Sequence, residues 1–120
     1  MKKNIEIYTN EKGQKITTAT CSEPCPIERG MRILGSKWTG SILWHLKGSP
    51  VRFNDLCRIM GGASKKMIDQ RLKEMEQQGL IYREVLSTRP IAVHYGITEF
   101  GSSALVILER LAEWTESNQL

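Results

Sequence analysis

Apolar residues recur along this chain with helical spacing in some stretches and strict alternation in others, and the switches between the two divide it into elements. Ile5, Ile7 and Thr9 alternate with Glu6, Tyr8 and Asn10 ahead of Gly13, which suits either a short hairpin or an unordered terminal arm. Cys25-Pro26 opens the first helix, since proline at the first helical position sacrifices no internal hydrogen bond. Ile27, Met31 and Leu34 follow at helical spacing, and Gly35 ends the run. A second helix from about Lys37 carries the stripe Trp38, Ile42, Leu43 and Leu46 until Gly48-Ser49-Pro50 stops it. Val51-Arg52-Phe53 reads as a short extended piece, the first strand of a small sheet. A helix over 54–60, with Leu56, Ile59 and Met60 inward, leads through Gly61-Gly62-Ala63 into a helix over 64–78. In the latter, Ile68, Leu72 and Met75 recur at i, i+4 and i+7; Ser64 is the N-cap and Gly79 the residue just past the C-terminus. Strands over 80–86 and 91–97 flank the loop Ser87-Thr88-Arg89-Pro90. Thr98 caps a final helix over 99–117, whose positions Ala104, Leu105, Leu108, Leu111, Ala112 and Trp114 make one broad apolar face.

This order predicts an α+β, mostly helical fold. A helix pair joined by a glycine turn and followed directly by a β-hairpin is the layout of a winged helix-turn-helix. Residues 1–24 form an arm or small hairpin, and residues 25–120 form the winged domain. In such a layout the start of the second helix of the pair enters the DNA major groove. The polar face of 64–78 presents Lys65, Lys66, Asp69, Gln70 and Lys73, with Met67 and Arg71 at its edge. Gln70 suits bidentate pairing with adenine, and Arg71 or a lysine suits guanine. Ser64 and Lys65, at the helix start, suit phosphates. Arg52 and Asn54 are candidate phosphate clamps before the preceding helix. Arg89, on the projecting loop, suits the narrow minor groove, where the negative potential is deepest. The competing account of each is a solvated charged face, a surface ion pair for Arg52 or a solvated loop arginine; Arg83 and His94 lie on the strands with their direction open.

Charge sharpens this picture. The chain carries +4 overall, distributed as +1 over 1–24, +4 over 25–63, +2 over 64–97 and −3 over 98–120. The middle can meet phosphates; the acidic end suits another task. No apolar run approaches the roughly 18 residues of a bilayer span, and residues 1–8 lack the apolar core of a secretory signal. The chain is therefore read as soluble and cytoplasmic.

Several segments together resemble the HxlR-type family of MarR-like winged helix-turn-helix regulators. They are Cys25-Pro26, Gly35-Ser36-Lys37-Trp38-Thr39, Arg52-Phe53-Asn54-Asp55-Leu56, Ser64-Lys65-Lys66-Met67-Ile68, the run 72–81 and Tyr95-Gly96-Ile97-Thr98-Glu99-Phe100-Gly101. The resemblance covers about residues 25–116 and leaves 1–24 unexplained. It implies a homodimer in which the first and last helices pack on the partner, with Ile27, Met31, Leu105, Leu108, Leu111 and Trp114 at the interface. The apolar surplus of the last helix fits this, being more than one small domain needs to cover itself. A twofold dimer implies a pseudo-palindromic double-stranded operator and, for so small a chain, a repressor more than an activator. Two positions depart from the family pattern. The wing tip reads Thr88-Arg89-Pro90-Ile91-Ala92 where prolines usually cluster, and Gly96 follows Tyr95.

Some members of that family are thiol switches, and the residue concerned is similar in position to Cys25. The helix start and Arg29 favour a thiolate there, while Glu28 opposes it. An oxidant, an electrophile or a small ligand is the candidate signal, an intersubunit disulfide a candidate response, and an inert cysteine the alternative. Three cysteines close no disulfide framework within one chain. Cys21 and Cys25, separated by three residues, fall short of the four ligands of a structural zinc, so no metal or cofactor is expected, and Cys57 reads as a half-buried core thiol. No nucleophile elbow, phosphate loop or paired-histidine motif points to an enzyme. A winged-helix protein–protein module without a DNA role is the alternative function.

Overall fold

The computed structural model describes the backbone of residues 3–9, 11–21 and 25–120, and the side chains of 9, 11–15 and 25–120. Backbone contacts divide the chain into two units, 1–33 and 34–120. In the first unit, β1 (Lys3–Thr9) and β2 (Lys15–Cys21) pair antiparallel from Lys3 opposite Cys21 to Thr9 opposite Lys15. Between them Gly13 takes a φ of 79°, a left-handed value that glycine adopts without penalty. Helix α1 spans Pro26–Leu34. The side chain of Cys21, and with it the Cys21–Cys25 pairing, lies outside the described residues.

The second unit runs α2 (Thr39–Leu46), β3 (Val51–Arg52), α3 (Phe53–Ile59), α4 (Lys65–Gln77), β4 (Ile81–Thr88), β5 (Ile91–Ile97), α5 (Glu99–Ser103) and α6 (Leu105–Ser117). The three strands form an antiparallel sheet in the order β3-β5-β4. Its core joins Ile42, Leu43 and Leu46 of α2, Leu56 and Met60 at α3, Ile68, Leu72 and Met75 of α4, then Leu80, Ile81, Tyr95 and Ala104. The stripe expected on α4 is therefore the buried one, and it fixes which face of that helix is left to solvent.

Four expectations are corrected. Helix α2 begins at Thr39, and Trp38 precedes it with a φ of 78° instead of standing in the stripe. The Ser36 carbonyl accepts from the Thr39 amide, so the chain turns sharply before the helix starts. Ile59 is exposed, because α3 is two turns long and buries only the pair four residues apart, Leu56 and Met60. The expected wing loop shrinks to Arg89-Pro90, a cis bond, because Ser87 and Thr88 pair with Ala92 and Ile91. The register slips between Val85 and Ser87, which gives β4 one extra residue, a bulge that lets the hairpin extend past its polar end. The final helix is interrupted at buried Ala104 and forms α5 and α6.

Gly96 also finds its reason. It lies opposite Tyr82, whose ring covers it so closely that a Cβ at 96 meets the phenol at 2.2 Å. The Tyr82 ring in turn stands edge-on to His94.

Candidate nucleic-acid interface

Helix α4 starts where Ser64, in extended conformation, turns its hydroxyl to accept from the Met67 amide at 3.1 Å. This cap satisfies one of the amides that a helix start leaves free. Lys65 and Lys66 stand exposed on that first turn, and neither has a carboxylate within ion-pair distance among the described residues. Met67 is half-buried at the edge of the face. Gln70 is exposed one turn further on, its amide nitrogen 3.4 Å from a Glu74 oxygen. Lys73 pairs with Asp69 at 3.0 Å. Two free cations at the amino-terminal end and compensated charge toward the other concentrate the positive potential at the helix start, where the helix dipole adds to it.

Arg71 is placed differently from its neighbours. Its guanidinium lies 2.6 Å from Glu74, its side chain is 13% exposed, and its Nε is buried without a hydrogen-bond partner. The spacing puts position 71 at the face's edge; the pairing with Glu74, one turn along the same helix, holds it there.

Arg52, exposed, precedes α3 as its N-terminal flank, and Asn54 is exposed in the first turn. Both line a cleft of about 760 Å³ bounded by the start of α3, by Asp69, Lys73 and Glu76 of α4 and by the wing strands. Arg83 enters the same cleft, a cation whose direction the strand alternation had left open. Three basic and three acidic side chains share this lining, so the cleft lacks the one-sided charge of the α4 start. At the wing tip Arg89 and Ile91 are exposed. His94 is turned to Glu84, Nε2 to carboxylate 3.4 Å, and belongs to the sheet.

The thiols differ. Cys25 is half-buried, and its Sγ accepts from the Glu28 amide at 3.5 Å, capping α1. Burial pushes the Cys57 thiol up, Lys65 opposes this, and Asp69 adds a smaller push, so Cys57 stays protonated at neutral pH. No helix is long and apolar enough to cross a membrane among the described residues.

On α6 the residues expected to meet a partner differ in exposure. Leu105 and Leu108 are half-buried in the second unit, Leu108 close to Gly40. Val106 and Ile107, which the sequence reading passed over, are exposed with Leu111 and Trp114. Ile107, Leu111 and Trp114 sit at i, i+4 and i+7 and form an open apolar stripe, 53% to 58% exposed. On α1, Ile27 and Met31 are exposed one turn apart.

Against known proteins, the HxlR-like helix-turn-helix family matches residues 33–119. The chain belongs to the HxlR family. Like its relatives, this HxlR protein is a transcriptional regulator of the helix-turn-helix type. It is 35% identical over 118 residues to the regulator YybR of Bacillus subtilis, covering 98% of this chain and 84% of that one. That alignment takes in the hairpin unit, which the family match does not reach. Among solved structures, the reduced form of the redox regulator HypR superposes with a TM-score of 0.75 at 35% identity, over 78% of this chain and 93% of that one. The reduced form of the regulator YodB from B. subtilis gives 0.68 at 33% identity, over 77% and 91%. The winged helix-turn-helix fold is thus established by architecture and by family.

Proposed function

We propose that this HxlR protein is a sequence-specific double-stranded DNA-binding regulator, a repressor, that works as a homodimer on a pseudo-palindromic operator in the cytoplasm. The observation that carries this is the start of α4: a capped helix N-terminus with Lys65, Lys66 and Gln70 exposed, set behind the glycine turn and ahead of the wing. Lys65 and Ser64 hold phosphates, while Lys66, Met67 and Gln70 meet base edges. Arg71 reaches a base only by leaving Glu74. Arg52 and Asn54 clamp the backbone beside α3, and Arg89 enters the minor groove from the wing tip. The whole protein is tested by selecting duplexes from a randomised pool and measuring affinity for the winner and for random duplex across a salt series. A winner with inverted half-sites, bound with a steep inverse salt dependence, supports the reading. Salt-independent or absent binding to every duplex refutes it and leaves the protein–protein module.

The homodimer is carried by the open stripe of α6. Leu111→Ser together with Trp114→Ala should shift the protein toward monomer, read as a falling mass by light scattering on dilution. An unchanged mass at every concentration removes α6 from the interface.

A second reading concerns the signal. Cys25 caps α1 through its sulfur, and the structurally similar HypR is described as a redox regulator. Mild thiol oxidation should therefore change affinity for the selected duplex, and Cys25→Ser should abolish the change. Equal affinity of reduced and oxidised wild type refutes the thiol switch and leaves the DNA reading standing.

A further inference from the structure

Trp38 stands immediately ahead of α2 with a φ of 78° and a ψ of −18°, a left-handed conformation that a bulky residue rarely holds. Such outliers persist only where the surroundings over-determine them. The cause here is where the ring goes. Its Cη2 edge lies against Gly62, so close that a Cβ at position 62 sits 3.2 Å away. Gly62 belongs to the turn between α3 and α4, and a Cβ at that position requires the indole to give by a few tenths of an ångström. Trp38 also lines, with Trp44 of α2 and Leu108 and Leu111 of α6, the groove between those two helices. One strained aromatic residue therefore bears on the turn that launches α4 and borders the helix proposed above to meet the partner subunit.

We propose that Trp38 is a positioning residue of the reading head: its ring seats the Gly61-Gly62 turn and so sets where the first turn of α4 stands, while its place in the groove makes that setting respond to α6. The proposal rests on the DNA-binding reading for its consequence, though not for its geometry. The ring touches no DNA; it acts through the turn. Ala63, whose amide donates to the Met60 carbonyl at 2.9 Å, closes the turn, and Met67 and Ile68 donate to Ser64 to start the helix. These three amides report the seat directly. Lys65, Lys66 and Gln70 depend on it for their reach.

The test uses four full-length variants: Trp38→Gly, Trp38→Phe, Gly62→Ala and the double variant Trp38→Gly/Gly62→Ala. Glycine at 38 keeps the left-handed backbone while deleting the ring, which alanine does not. Hydrogen exchange is read first, because it needs no DNA. In Trp38→Gly the amides of Ala63, Met67 and Ile68 should exchange roughly tenfold faster or more, while Gln78 and Gly79 at the far end of α4 keep their wild-type rates. Affinity for the selected duplex should fall roughly tenfold, and affinity for random duplex by less than about threefold, a change of register in the contacts rather than of charge. Gly62→Ala should weaken selected-duplex binding in wild type and add nothing further once the ring is absent. Should Trp38→Gly fail to fold, the shorter ring of Trp38→Phe carries the same comparison, with Ala63, Met67 and Ile68 again exchanging faster than the far end. Uniform acceleration along α4, or no change at those three amides, overturns the proposal. Local acceleration in a protein that prefers no duplex leaves the seat standing and refutes the DNA reading instead.

Discussion

Gly101→Ala should destabilise this protein by about 3 kcal/mol or more, above the usual range for an overpacked core because the obstacle is backbone. A Cβ at 101 meets the Leu80 carbonyl oxygen at 2.1 Å and the Ile97 side chain at 2.8 Å. The contact cannot be relieved by a rotamer change. Relief requires α5 to move away from the start of β4, and the hydrogen bonds of Thr98 oppose that movement. The Thr98 amide donates to the Leu80 carbonyl at 3.1 Å. The Thr98 hydroxyl donates to the Gly79 and Leu80 carbonyls at 2.6 and 3.0 Å while accepting from the Gly101 amide at 3.0 Å. This one side chain joins the α5 cap to the end of α4, so displacement also loosens α4 from behind. Thermal unfolding followed by circular dichroism should show a midpoint lowered by on the order of 10 °C. A midpoint within about 2 °C of wild type would mean that the junction yields freely, and the account of how α5 is seated would be wrong.

Replacing Lys65 and Lys66 by alanine together should weaken binding to random duplex about tenfold at moderate salt, through the lost Lys65 phosphate contact, and binding to the selected duplex by roughly a further tenfold, through the lost Lys66 contact to a base edge. Each contact releases about 0.9 of a condensed counterion. The log–log slope of affinity against salt should accordingly become shallower by about one unit, and by about two only if Lys66 also neutralises a phosphate. Both side chains are exposed, and among the described residues no carboxylate pairs with them, so their removal should leave stability nearly unchanged. The slope is the sharper observable. A loss of affinity with an unaltered slope would assign these lysines to something other than phosphate. An unaltered affinity would move the interface off the α4 start altogether. Lys73 makes a useful contrast: it is tied to Asp69, so Lys73→Ala should change the slope far less.

The two predictions bear on opposite ends of one helix and depend on different kinds of information. The lysines were readable because everything that places them is local. Ser64 caps within three residues, and Ile68, Leu72 and Met75 bury one face by spacing alone, which leaves Lys65, Lys66 and Gln70 outside. Thr98 was readable as a cap for the same reason, its bond to Gly101 spanning three residues. What it holds was not: the Gly79 and Leu80 carbonyls lie 19 and 18 residues back along the chain.

Local pattern, then, determined by itself the order of helices and strands, the buried stripe of α4, the glycine turn before it and the hairpin after it. Together with the signature residues that was enough for the family and the fold. It did not contain the side-chain encounters between elements distant in sequence. Trp38 looks like the first residue of a helical stripe until the turn at Gly62 offers its ring a place, and the backbone takes a left-handed value to deliver it. Gly96 looks like a departure from pattern until Tyr82 is found lying over it. Ser87 and Thr88 look like loop until Ala92 and Ile91 pair with them across a bulge. Arg71 is local, yet only the realised rotamers show it bound to Glu74. Leu105 and Leu108 could be assigned to the partner or to their own domain on hydrophobicity alone, because burial free energy is non-directional and only packing decides which surface is covered. Periodicity is a property of neighbours along the chain, while strain, bulges and close approaches arise where the chain returns to itself; those were settled by the tertiary structure alone.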